Sequence, residues 1–111
     1  MGNSKTFEVA KRADYPVVRE FYADRDYDNS GSIVFKRQVG RLNPEELAAK
    51  CLRACQEGRV TTVTGDEIEI EFESICFHSD TPGALEIGKT IRTRLTEANI
   101  TIAPASTVLG L

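Results

Sequence analysis

The chain has little with which to build a metal centre or a disulfide framework. It carries one histidine and three cysteines in 111 residues. An odd number of cysteines does not close into pairs within one chain. Cys51 and Cys55 lie four apart, which is not the spacing of a zinc pair, and only His78 could add an imidazole. No metal ligand is assigned, and a metal requirement stays open. Reduced, buried thiols in a cytoplasmic protein are the expectation. Long apolar runs are also missing. None approaches the roughly 20 residues of a bilayer-spanning helix, so no membrane partner is expected. The opening "MGNSKTFEVAKR" has no apolar core and does not read as a secretory signal. Gly2 fits a myristoylation signal only if Thr6 supplies its hydroxyl. Basic charge is not in excess: 14 Lys and Arg are interleaved with 17 Asp and Glu, for a net charge of −3. A phosphate backbone needs a basic face, so a nucleic-acid partner is not expected. There are no internal repeats or low-complexity stretches. The length suits one domain, 1–111.

What is present alternates between helical and extended patterns. "SKTFEVAKRA" has helical spacing with Ser4 as N-cap. Pro16 disfavours helix at Tyr15, and Val17–Tyr22 reads as a strand. A polar loop follows, then a short extended stretch, "IVFKRQVGRL". Asn43, Pro44, Glu45 and Glu46 form a strong helix start: a cap, a proline in the first turn and acids against the helix dipole. Leu47, Cys51, Leu52 and Cys55 continue it as an apolar stripe, and Gly58 ends it. "RVTTVTGDEIEIEF" reads as a hairpin around Gly65 and Asp66, with an apolar face and a solvated acidic one. "SICFHSD" reads as a buried strand. Pro82 opens a last helix, along which Ala84, Ile87, Ile91, Leu95 and Ala98 recur at helical spacing, followed by a short extended tail. Strands alternating with helices imply an α/β layer or a barrel segment.

Two motifs invite readings that their surroundings do not support. "PGALEIGKT" (82–90) spells G-x-x-x-x-G-K-T, a phosphate-cradling loop. Such a loop works because backbone N–H groups are free before the helix begins. Here Ala-Leu-Glu-Ile favour helix, and the stripe runs through Gly88 without a break. Gly88 and Lys89 are therefore expected inside the helix, where the N–H groups are already used. "DYDNSGSIVFKR" (26–37) resembles a calcium loop at Asp26, Asp28, Ser30, Gly31 and Ile33. Its twelfth position is Arg37 where a bidentate Glu belongs, and no helix enters it, so it reads as a polar loop.

The informative stretch is "ICFHSDTPGA" (75–84). A strand ends near His78, a tight turn follows and Thr81 is placed to cap the helix. An imidazole, the Asp80 carboxylate and free N–H groups then share one strand end, where α/β folds bind ligands. Asp80 is positioned to act as a base or to orient His78. The plainer alternative is that Asp80 caps the helix and His78 makes a structural hydrogen bond. At the other strand end, Glu20, Asp24 and Arg25 stand together. An Asp–Arg pair there could grip a carboxylate substrate, or could be a loop ion pair worth under about 1 kcal/mol.

"EFYADRDYDNSGSIV" together with "GRV…ICFHSDTPGALEIGKTIRTRLTEANI" resembles the C-terminal part of the LamB/YcsF family of lactam-utilisation proteins, equated with the A-subunit of the bacterial-type 5-oxoprolinase. Members read close to E-x-F-A-D-R-x-Y and I-C-V-H-G-D-T-P-G-A; here Phe77 replaces the valine and Ser79 the glycine. The resemblance implies an α/β fold: an incomplete C-terminal segment of a glycoside hydrolase/deacetylase-like (β/α) barrel, with a β-hairpin insertion. It implies ATP-dependent opening of 5-oxo-L-proline to L-glutamate, with partner subunits. Matching positions make His78 and Asp80 catalytic candidates, and Glu20, Asp24, Arg25, Tyr27 and Thr81 substrate-binding candidates. ATP enters by the resemblance alone and is not placed on "GALEIGKT". The family's N-terminal motifs, such as N-C-D-L-G-E, do not occur here, so a truncated form inactive alone is expected. Two other classes stand beside this reading. One is a non-catalytic α/β module that self-associates into a homo-oligomer through an exposed strand edge. The other is a small nucleotide-binding protein using "GALEIGKT".

Overall fold

A computed structural model describes residues 1–111. Its elements in chain order are α1 (Lys5–Arg12), β1 (Glu20–Tyr22), α2 (Pro44–Glu57), β2 (Arg59–Thr61), β3 (Glu67–Glu69), β4 (Ser74–Cys76), α3 (Ala84–Glu97) and α4 (Ala105–Val108). Local capping chemistry fixes several boundaries. Ser4 Oγ accepts from the Phe7 N–H at the start of α1. Asn43 Oδ1 accepts from Glu45 N–H at 2.9 Å, and Pro44 follows at the first helical position. Gly58 stops α2 in the left-handed region at φ 66°, where a side chain would be strained.

Strand β1 pairs with β4 in parallel, Glu20 opposite Ser74, Phe21 opposite Ile75 and Tyr22 opposite Cys76. The antiparallel pair β2–β3 lies between α2 and β4 in chain order, with Val60 opposite Ile68. Its turn closes through Gly65, as expected, at φ 85°. Helices α2 and α3 pack on one another. Ala48, Cys51 and Ala54 offer α3 a flat, small-residue surface, and Ile87, Ile91 and Leu95 fill it. Phe21 and Val60 complete the same core, and Ile75 packs against it. Each large apolar side chain buried there contributes about 1.5–3 kcal/mol.

Side chains alternate across a strand, so Phe21 and Ile75 turn towards the helices while Glu20, Tyr22, Ser74 and Cys76 take the opposite face. β4 is half-buried throughout rather than buried as its run of apolar residues predicts, and Ser74 and Ile75 border an open groove.

Four boundaries differ from the sequence reading. Strand β4 ends at Cys76, two residues short of His78. The first strand starts at Glu20, not Val17, because parallel pairing with β4 begins only there. Pro82 does not open α3 and Thr81 does not cap it. Gly83 at φ 79° cannot be helical, so α3 starts at Ala84 without a side-chain cap. The extended tail contains a one-turn helix, α4.

Candidate active site

The parallel pairing of β1 and β4 brings two distant loops together. Ala23 N–H donates to Cys76 O at 2.9 Å, carrying the pairing just past both strands. Asp24 and His78 then emerge side by side from the C-terminal ends of neighbouring parallel strands, where α/β folds place ligands. His78 N–H donates to Asp24 Oδ2 at 2.7 Å, and His78 Nδ1 lies 3.0 Å from Asp24 Oδ1. Thr81 Oγ1 donates to Asp24 Oδ2 at 3.0 Å. Arg25 Nη1 donates to the main-chain oxygen of Asp24 at 3.0 Å and sits 3.3 Å from Asp24 Oδ1.

The carboxylate of Asp24 is fully buried while the His78 side chain is 37% exposed. Burial pushes the Asp24 carboxyl upward. Hydrogen bonds from the His78 N–H, the His78 ring and the Thr81 hydroxyl, with the His78 charge, outweigh burial and hold it below the usual carboxylate range. An ionised carboxylate only accepts, so His78 Nδ1 carries the hydrogen. In neutral His78 the lone pair then resides on Nε2, which makes no hydrogen bond within the chain. The arrangement is an oriented imidazole with one nitrogen available for proton transfer.

Tyr22 stands edge-on to His78, with ring centroids 5.8 Å apart. Burial, with the Glu20 charge, raises the Tyr22 phenol above its ordinary value. Cys76 occupies the same sheet face. Burial and the charges of Glu20 and Asp24 push its thiol up, so it is not an activated nucleophile. Burial pushes Cys51 up to about 12, as befits an inert core thiol.

Asp24, Arg25, His78 and Thr81 of the sequence-predicted site thus meet. Glu20 does not stand with them at the C-terminal strand end as expected: β1 begins at Glu20, which lies on the same sheet face as Tyr22 but at the strand end away from Asp24. Asp80 is exposed and makes no hydrogen bond; the acid that orients His78 is Asp24. Tyr27 is in the core. Its ring stacks on Phe21 at 5.4 Å and its hydroxyl accepts from Tyr22 N–H at 2.9 Å, so it braces the end of β1 instead of facing solvent. Thr81 is buried and serves Asp24, not the helix end. In Arg25, Nη1 is committed to Asp24, while Nε and Nη2 make no hydrogen bond. One neighbour of the imidazole escapes the sequence reading: Tyr22, whose signal is its alternation with Glu20 along the strand.

The two lures resolve into ordinary structure. Gly88 lies within α3, and a Cβ there would come 2.6 Å from Phe77 Cζ, so the glycine makes room for a ring. A triphosphate does not fit "GALEIGKT", because the N–H groups around Gly88 belong to the helix ladder. In the polar loop, Asp28 Oδ1 accepts from Ser30 N–H, Ser30 Oγ and Ser32 N–H, and Asp26 pairs with Lys36. Those carboxylates are engaged by their own loop.

A family model described as the LamB/YcsF family matches residues 1–110. The 5-oxoprolinase A-subunit 1 of Pseudomonas aeruginosa is 55% identical over 102 residues, which make up 92% of this chain and 40% of that protein. The 5-oxoprolinase A-subunit of Rhodopseudomonas palustris is 37% identical over 106 residues, 94% of this chain and 42% of the relative. The crystal structure of a lactam utilization protein from Thermus thermophilus superposes with a TM-score of 0.75 at 29% identity, covering 87% of this chain and 39% of that one. The chain therefore spans about two-fifths of the length of the curated relatives it matches.

Proposed function

The chain belongs to the LamB/YcsF family, and from that premise we propose that it carries the Asp24–His78 portion of a site of the 5-oxoprolinase A-subunit type. The reaction would be the hydrolytic opening of 5-oxo-L-proline to L-glutamate with one water, coupled to hydrolysis of ATP to ADP and phosphate with a second, and assisted by partner subunits. The strand–helix–strand unit β1–α2–β4 would be part of a (β/α) barrel, with β2–β3 as a hairpin inserted before β4. The observation that carries this reading is the buried Asp24 carboxylate fixing His78 through two hydrogen bonds at adjacent parallel strand ends.

In this reading Asp24 holds His78 with hydrogen on Nδ1. His78 Nε2 takes a proton from water as the water oxygen adds to the lactam carbonyl carbon. The ring C–N bond then breaks, and the proton returns to the leaving nitrogen. Arg25, through Nε and Nη2, meets the substrate carboxylate. Glu20 and Tyr22 line the floor. No residue of this chain is assigned to ATP, and with two-fifths of its relatives' length we expect the chain alone to be inactive.

A chimera tests this. The 102 matched residues of the Pseudomonas aeruginosa relative are replaced by this chain, and the chimera is assayed with its partner subunits, 5-oxoproline and ATP. Glutamate should form, and His78→Gln should lower kcat by roughly 10²–10⁴-fold. Wild-type-like turnover in the His78→Gln chimera would exclude His78 as the acid–base group.

A second reading, a self-associating module without catalysis, has two observations in its favour. The β1–β4 sheet has two strands with open edges. An apolar groove of about 840 Å³ is lined by Ile75, Phe77, Leu85, Ile91 and Ile102. A concentration-dependent oligomer in analytical ultracentrifugation would support it, and a strictly monomeric, well-folded chain would count against it.

A further inference from the structure

Below the Asp24–His78 pair lies a cation with no carboxylate in contact. Lys50, on α2, reaches out of the helix to the backbone beyond β1. Its ammonium donates to Arg25 O at 2.5 Å and to Ala23 O at 3.4 Å. These two carbonyls flank Asp24. The same nitrogen sits 5.6 Å from the Phe21 ring centroid and 5.7 Å from that of Tyr27. Asp24 and Asp26 draw the ammonium electrostatically and Lys36 opposes it, but neither acid forms a salt bridge with it. A partly buried ammonium is costly to keep, and a leucine would pack on the same rings. Holding two carbonyls and two ring faces together restricts the turn between them.

We propose that Lys50 is a positioning residue: by pinning the carbonyls of Ala23 and Arg25 it fixes the backbone around Asp24, and so aims the Asp24 carboxylate at His78 and Thr81. This rests on the site reading above. It extends that reading from the site to the helix behind it, and links packing of α2 to the imidazole without Lys50 touching a substrate.

The test uses Lys50→Met in the full chain. Methionine keeps the stem against the rings and removes the donors. Because the chain has a single histidine, its imidazole nitrogens are unambiguous in a ¹⁵N spectrum. In Lys50→Met the Nδ1 resonance should move from the protonated position towards the tautomer-averaged value. Exchange of the His78 amide, which donates to Asp24 Oδ2, should accelerate at least about tenfold. Amides of Ile91 and Leu95, in the core of α3, should stay within about threefold of wild type. If Lys50→Met does not fold, Lys50→Leu, which likewise has no donor, is read in the same way. An unchanged Nδ1 resonance with unchanged His78 exchange would overturn the proposal. So would equal acceleration of all core amides, which would show a role in general stability only. Neither measurement needs turnover, so a chimera that makes no glutamate would overturn the catalytic reading and leave this result standing on its own.

Discussion

Replacing Asp24 by asparagine keeps the shape of the side chain and removes its charge. The wild-type carboxylate accepts from the His78 N–H, the His78 ring and the Thr81 hydroxyl, at 2.7, 3.0 and 3.0 Å, with Arg25 Nη1 3.3 Å away. A hydrogen bond to a charged group contributes about 1.5–3 kcal/mol. Asparagine retains one acceptor and turns an NH₂ group towards a former donor. One or two charge-assisted bonds are lost and Arg25 loses its counter-charge. The expected cost is about 2–4 kcal/mol, a large share of the ~5–15 kcal/mol of a typical domain. With a urea slope of about 1.5 kcal/mol/M, the unfolding midpoint should fall by roughly 1.3–2.7 M. The effect should depend on pH with a definite sign. The Asp24 carboxyl is held below its unfolded value in the folded chain. Its contribution is therefore fully present above the unfolded carboxylate pKa, near 3.9, and is lost as pH falls through the folded value. Urea melts at pH 7 should show the full gap between wild type and Asp24→Asn, and the gap should shrink below about pH 4. A midpoint shift under about 0.3 M at pH 7, or a gap that widens in acid, would refute the reasoning.

Two further substitutions probe the support around the site. Tyr27→Phe keeps the stack on Phe21 but strips the acceptor from Tyr22 N–H. It should cost about 1–2 kcal/mol in urea unfolding, and should disturb the amide resonance of Tyr22 before that of α3. Gly88→Ala should gain about 1 kcal/mol of helix propensity and offset it by driving the Phe77 ring aside. In a Phe77→Ala background the same change should stabilise by about 0.5–1 kcal/mol, and a double-mutant cycle without coupling would show that the ring does not explain the glycine.

Local chemistry is readable from the chain, and distant partnership is not. Asn43, Pro44 and Gly58 bound α2 correctly because a cap involves neighbours only. Gly65 marks the turn between β2 and β3 for the same reason. The small-residue face of α2 is less visible. The stripe through Leu47 and Leu52 looks apolar, yet Ala48 and Ala54 are the residues that let α3 approach. Gly83 is easily misread because Pro82 is a good first-turn residue, yet Pro-Gly is equally the signature of a type II turn, which the Ala84 N–H closes on Thr81 O at 3.0 Å. The site shows the limit most clearly. His78 and Asp24 are 54 residues apart, while Asp80 is two residues from the histidine. Proximity in sequence nominates Asp80; parallel strand pairing chooses Asp24. The motif likeness marks Asp24 and Thr81, without saying that both serve the imidazole. Tyr27 carries the same kind of mark, but its ring is consumed by the Phe21 stack.

The most direct test is the tautomer of the lone imidazole in the unmodified chain. A ¹⁵N-resolved spectrum at a pH where His78 is neutral should show hydrogen on Nδ1, with the bare nitrogen at Nε2. Hydrogen on Nε2, the form that free histidine prefers in water, would mean that Asp24 does not hold the ring, and the proton-transfer role assigned to His78 would fail with it.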